Sequence, residues 1–276
     1  MKEKYREIRK EIFLTGYSVN IAHLASAFSI VEIVDVLYND IMNITKETYK
    51  DEDRDIFILS KGHGSLALYV TLYNKGIITR EELDKFCKPN SLLGGEPCYP
   101  YAPGIEFATG SLGHGLSLGV GVALAKKLDN KKEKTYVLLG DGECEEGTIW
   151  EACMFANKYE LNNLVAIVDC NKIQKMGSLE EVMNINSWAK TFKSFGWRVI
   201  EVDGHNPEEL KIALTKKNNS KKPTVILAST IKGYGVSLME NNPKWHWRLP
   251  NKKEVKIFAS ELNISEEELK RCKNRI

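Results

Sequence analysis

The chain has little that would tie it to a membrane, a nucleic acid or an oxidising compartment. No apolar run approaches the ~20 residues needed to cross a bilayer. The N-terminus, MKEKYREIRKEIFL, reads as a charged amphipathic helix carrying acidic residues, unlike a signal peptide. Charge of one sign is missing as well, since 39 basic residues against 37 acidic ones leave a formal net charge of +2. No run of Lys and Arg alternates with aromatics, so neither nucleic acid nor an anionic membrane is expected as the main partner. The basic tracts NKKEK and TKKNNSKK flank strand candidates and read as solvated turns. The cysteines, at 87, 98, 144, 153, 170 and 272, form no C-x-x-C pair, and no His stands at zinc-finger spacing. Reduced thiols and a cytoplasmic location are the expectation. Without an internal repeat, a low-complexity tract or a long Gly/Ser linker, the 276 residues are expected to form one domain over 1–276, ending in a short polar helix that the Ser265/Glu268 pair caps.

What is present is a regular alternation. Apolar runs of strand character recur at 56–59, 136–139, 164–168, 197–202 and 224–228. Between them lie segments of helical period, among them 26–38 and 114–128, and Pro207 opens a further helix. This predicts an α/β fold, a parallel sheet with helices on both faces. Segment 87–113 has no clear period and is long for a connection, which points to an ordered functional loop or an unrecognised element. Each strand candidate runs into a polar turn: SKGHG, GDGE, DCNKIQ, DGHN and STIKGYG. In open parallel sheets ligands sit beyond the carboxyl ends of the strands, so five such turns suggest one rim that binds a phosphorylated ligand with a metal. Taken singly, each turn also reads as an ordinary strand-to-helix connection.

Asp141 and Asn171 carry the sharper argument. The stretch between them fits one strand end, a crossover helix and the next strand, which brings both to the same rim. A carboxylate, an amide oxygen and a backbone carbonyl leave room for phosphate oxygens in an octahedral magnesium shell, which suits an ion that seldom uses all-protein cages. Gly140 and Gly142 let the backbone approach a diphosphate closely.

Together SKGHGSLALY, GIEFATGSLGHGLSLGVGVALA, GDGECEEGTIWEA, DCNKIQ and TIKGYGVSLMENNPKWH resemble the amino-terminal half of transketolase, a thiamine diphosphate enzyme, over nearly the whole chain. The resemblance implies a thiamine diphosphate-binding, pyrophosphate-domain fold, with magnesium held by Asp141, Asn171 and the carbonyl of Ile173. It implies that His63 and His246 contact the diphosphate, that His246 and His23 face the substrate, and that Gly110 and Leu112 pack on the cofactor. Glu146 matches a glutamate at the family's dimer centre. His114 and His205 are left outside the catalytic set, and alone a His before a helix is more often a cap or surface residue. Trp150, Trp188 and Trp197 read as core or interface.

Two departures stand out: Glu96 replaces the histidine of a GHP loop that bonds the donor sugar, and Trp247 replaces a glycine. An acceptor-only carboxylate there implies an unusual sugar, modified or nucleotide-linked. The family's pyrimidine-binding and carboxy-terminal domains are absent from this sequence. The resemblance therefore implies the amino-terminal subunit of a split transketolase, moving a two-carbon ketol unit from ketose to aldose, with sugars or sugar phosphates as substrates. A separate carboxy-terminal subunit would supply the pyrimidine-binding domain, with two copies of each chain around a homodimeric core. The alternatives are the decarboxylating subunit of a 2-oxo acid dehydrogenase and a non-catalytic thiamine diphosphate-binding subunit. A nicotinamide dehydrogenase is disfavoured because GSLGHG is not G-x-G-x-x-G. The helix after Glu146 crowds Trp150, Cys153, Met154 and Phe155 together and is expected to offer an apolar face to a partner.

Overall fold

The computed structural model describes every residue except 21, 22, 184 and 274–276. Five strands, β1 (Ile56–Leu59), β2 (Thr135–Gly140), β3 (Leu164–Cys170), β4 (Arg198–Asp203) and β5 (Thr224–Ser229), form a sheet of order β1-β2-β3-β5-β4. Every pairing is parallel. The helices are α1 (Glu3–Ser18), α2 (Leu24–Phe28), α3 (Val31–Val36), α4 (Ser65–Asn74), α5 (Arg80–Asp84), α6 (His114–Leu128) and α7 (Gly147–Lys158). They continue with α8 (Leu179–Val182), α9 (Trp188–Ser194), α10 (Pro207–Thr215), α11 (Glu254–Glu261) and α12 (Glu266–Lys273).

The period-2 geometry of a strand explains the core. Tyr136, Leu138, Val165, Ile167, Ile226 and Ala228 enter one apolar cluster with residues of α1–α4, α10 and α11. Their neighbours Val137, Leu139, Ala166, Val168, Val225 and Leu227 enter a second cluster with α6, α7 and α9. Both faces of the sheet are thus covered, which is why the central strands read as unbroken apolar runs. Register places Gly140 beside Asp169 and Cys170 beside Ser229, so the polar turns that follow emerge at one edge.

Segment 26–38 and the start of β4 differ from the expected boundaries, and segment 87–113 is an ordered loop. Segment 26–38 is not one helix but α2, α3 and a π-helical turn, Leu37–Ile41. Arg9 Nη2 donates to the carbonyl of Phe28 at 2.8 Å, and the Ser29 hydroxyl donates to the carbonyl of Ser26 at 3.1 Å, so acceptors the helix ladder would use are taken. Strand β4 starts at Arg198 rather than 197 because the Trp197 indole is buried in the second cluster and donates to the carbonyl of Cys153 at 3.1 Å. Segment 87–113 has no helix or strand and is ordered by burial of Leu93, Ala102 and Ile105. Side chains of α4 also hold it: Ser65 Oγ donates to the carbonyl of Gly95 at 2.7 Å, and Tyr69 Oη to that of Glu96 at 3.1 Å. The Ser265 cap is present on α12, which docks on α1 through Lys10 and Glu268 at 2.6 Å and the buried Cys272. No helix among the described residues is long and apolar enough to cross a membrane.

Candidate cofactor and substrate site

A cavity of about 330 Å³ opens where the turns after β1, β2, β3 and β5 meet. After β2 the chain folds sharply: Asp141 Oδ1 accepts from the Gly142 amide at 2.8 Å and Oδ2 from the Lys172 amide at 2.5 Å. A Cβ on Gly142 would press on the Gln174 side chain at 2.9 Å, so glycine keeps this turn open. Beneath it lies Glu143, 2% exposed, which accepts from the Ser60 hydroxyl, the Gly113 amide at 2.9 Å and the Gly140 amide at 3.0 Å. These bonds tie the turn to the start of α6. Burial raises the pKa of Glu143 against the pull of its donors.

After β3 the polar residues are organised by Asp169, which is fully buried and ion-paired to the equally buried Lys61. It also accepts from the hydroxyls of Ser29, at 2.8 Å, and Thr230, and from Asn171 Nδ2 at 2.9 Å. Burial alone would raise its pKa, but Lys61 and these hydroxyls hold it below the ordinary carboxylate value. Because Asp169 demands a donor, Asn171 must turn Nδ2 toward it, which leaves Oδ1 beside the Ile173 amide at 3.0 Å.

From the turn after β5, Lys232 reaches in, 2% exposed, and donates to the Ile173 carbonyl at 2.8 Å. Its other contact is His246 Nδ1 at 3.0 Å. An ammonium only donates, so His246 accepts at Nδ1 and carries its proton on Nε2. Burial, reinforced by Lys61, lowers the Lys232 pKa to about 8. The rings of His23, His63 and His246 form a triangle with centroids 5.5, 5.5 and 5.6 Å apart. Burial and, next, Lys232 depress His23 to about 4 and His246 to about 3. Burial and Lys61 hold His63 well below its ordinary value. All three imidazoles are therefore neutral near pH 7.

The cavity brings together His23, His63, Glu96, Gly110, Leu112, Gly140, Asp141, Gly142, Asn171, Ile173 and His246. Glu146 lies outside its lining, exposed at the start of α7 and next to Gly113. Trp247, 53% exposed, meets the His23 ring edge-on at 4.2 Å. His205 is placed elsewhere: Nδ1 pairs with Glu32 at 3.0 Å and Nε2 accepts from the Ile231 amide at 2.9 Å, a structural role. Lys61, Glu143, Lys175 and Lys232, which line the same cavity, were not singled out from sequence, although Lys61 and Lys232 stand inside the SKGHG and STIKGYG turns.

The donor set suits a hard cation shared with phosphate. Asp141 is a carboxylate 2% exposed, whose pKa burial and the nearby Asp169 raise to about 7. A buried carboxylate left this uncompensated is what a divalent ion would relieve. No group of three His, Cys, Asp or Glu side chains able to hold a metal occurs among the described residues, so any cation here would rely on amide, carbonyl and phosphate oxygens.

Parallel strands ending in glycine turns, hard oxygen donors and buried lysines define an α/β domain for a phosphate-bearing cofactor. The family described as transketolase, thiamine diphosphate binding domain, matches residues 15–270, and the chain belongs to it. It is 42% identical over 267 residues to a subunit of the apulose-4-phosphate transketolase of Phocaeicola vulgatus, covering 96% of this chain and 95% of that one. It is 38% identical over 229 residues to the 6-deoxy-6-sulfo-D-fructose transketolase subunit SqwG of a Clostridium species, covering 83% of each. Human transketolase is 35% identical over 247 residues, which are 89% of this chain but 39% of that one. Among solved structures, Campylobacter jejuni transketolase superimposes with a TM-score of 0.86 at 28% identity, covering 100% of this chain and 46% of that one. The chain thus spans less than half of the full-length transketolases it matches.

Proposed function

We propose that the chain is the amino-terminal subunit of a two-chain, thiamine diphosphate-dependent transketolase. What carries this reading is that Asp141, Asn171 and Ile173 line one cavity together with buried Lys232 and three neutral imidazoles. In it, Asp141, Asn171 and Ile173 hold magnesium, and Lys232 and Lys175 offset the negative charge of a diphosphate. His63 donates toward the same diphosphate, and Gly110 and Leu112 form the wall on which the cofactor packs. Thiamine diphosphate, when bound, supplies the nucleophilic carbon and electron sink for moving a two-carbon ketol unit from a ketose to an aldose.

The chain's own part is binding and proton placement. His246, its Nδ1 engaged by Lys232, offers Nε2–H to a substrate oxygen, and His23 beside it, being neutral, either donates or accepts at a hydroxyl. Glu146, exposed next to the start of α6, would be available to a second copy of the chain. A separate subunit supplies the pyrimidine-binding domain, in an assembly of two copies of each chain located in the cytoplasm. Donors of an uncommon kind, like those for which the two subunit relatives are named, fit a cavity that contains Glu96. The test is ketol transfer by the chain mixed with its partner subunit, thiamine diphosphate and magnesium, measured against each component alone. Turnover only in the complete mixture supports the reading, and turnover by the purified single chain overturns the two-chain assignment.

A further inference from the structure

Glu96 differs from the other carboxylates that line the cavity, Asp141 and Glu143. Its carboxylate has neither an ion pair nor a hydrogen bond among the described residues, whereas Asp141 and Glu143 each accept at least two. Burial raises its pKa. The position is nonetheless fixed. The main chain of residues 95 and 96 is held by Ser65 and Tyr69 of α4, and the carboxylate lies against Gly110, where φ is +123° and a Cβ would collide with Oε2. The half-buried anion thus sits on the same wall as the cofactor-facing glycine, with open acceptor capacity turned to the cavity.

We propose that Glu96 is a specificity-determining residue that admits a ketose, whose carbonyl has hydroxylated neighbours, and turns away a 2-oxo acid, whose carbonyl has a carboxylate neighbour. A hydroxyl donated to Glu96 satisfies an acceptor that is otherwise without a partner. A substrate carboxylate placed beside it would add like-charge repulsion in a partly desolvated site. Glu96 is acceptor-only, so it cannot accommodate both substrates as an imidazole would.

This inference rests on the ketol-transfer reading, and the test separates the two. Hydroxypyruvate and L-erythrulose donate the same two-carbon unit and differ in whether a carboxylate or a hydroxylated carbon adjoins the carbonyl. With the chain assembled with its partner, thiamine diphosphate and magnesium, kcat/KM is measured for both donors with one aldose. The parent should favour L-erythrulose, and Glu96→Gln, which keeps the shape and removes the charge, should raise the hydroxypyruvate-to-erythrulose ratio by about tenfold or more. Gly110→Ala, which displaces the carboxylate, should move the ratio in the same direction. A ratio that stays within about twofold in Glu96→Gln overturns the inference while leaving ketol transfer standing. A Glu96→Gln complex whose thiamine diphosphate affinity collapses makes Glu96 a loop-shaping residue and also overturns it. Failure of the parent complex to use either donor removes the ketol-transfer reading itself, and this one with it.

Discussion

The residues on which binding depends differ in what their loss should cost. Asp141 is the only carboxylate in the proposed cation shell, so Asp141→Ala should abolish magnesium-dependent thiamine diphosphate binding by the assembled complex, as read by calorimetry. Unchanged affinity would remove the metal assignment. Lys232 bridges the Ile173 carbonyl and His246 from a buried position, and a charged hydrogen bond of this kind is worth roughly 1.5–3 kcal/mol. Lys232→Met should therefore weaken cofactor binding by about tenfold or more while the chain still folds. An equal loss of melting temperature with no loss of affinity would make Lys232 a packing residue. At this scale the sequence was readable where chemistry-bearing residues sit in glycine-punctuated turns, as Asp141, Asn171 and His63 do. It was silent on Asp169 and Glu143, because their meaning lies in partners far along the chain: Ser29 and Lys61 reach Asp169 across 140 and 108 positions, and Ser60 reaches Glu143 across 83. A carboxylate within a strand gives no local sign that it will orient an amide two residues on.

Among the elements, the strands were legible because β2, β3 and β5 are buried on both faces, which leaves the period-2 alternation invisible but the apolar runs unmistakable. The break between α2 and α3 was not legible, since it depends on Arg9 entering from α1. Arg9 and Glu32 are both nearly without exposure and form a two-pronged pair, each contact 2.7 Å, that pins α1 to α3. Removing one partner strands the other charge in the core, so Glu32→Ala should cost about 3–5 kcal/mol of stability by denaturant titration, and Arg9→Met with Glu32→Met together should cost less. The pair also sets an acid response. Burial would raise the pKa of Glu32, but His205 and Arg9 more than offset it and leave the folded value below the ordinary 4.5. Its contribution is therefore present above that value and lost as pH falls through the lower folded one. Acid unfolding should begin at higher pH in a Glu32→Gln variant, whose midpoint in a circular-dichroism titration should exceed that of the parent. Coincident midpoints would count against the pair as an acid-stability element.

On the scale of the whole molecule, the question is which surface meets a partner. The helix after Glu146 was expected to present Trp150, Cys153, Met154 and Phe155 as one apolar face, but it divides them. Cys153 is buried and Trp150 packs on Phe192 and Phe195 within the chain, whereas Met154 and Phe155 are 54% and 40% exposed. At about 100° per residue the buried Ile149, Ala152, Cys153 and Ala156 share one arc of the helix, and Met154 and Phe155 lie beyond it. The outward pair, continued by Tyr159, whose ring meets Phe155 at 4.3 Å, is what this helix leaves for association. Because these side chains contribute little to the chain's own core, Met154→Glu with Phe155→Glu should leave its melting temperature nearly unchanged. The same change should weaken assembly, with sedimentation shifting toward smaller species and ketol transfer by the reconstituted complex falling in step with the fraction assembled. If the double variant sediments and turns over like the parent, the association surface lies elsewhere, and the exposed Met154 and Phe155 are ordinary surface apolar residues of the kind most soluble proteins carry.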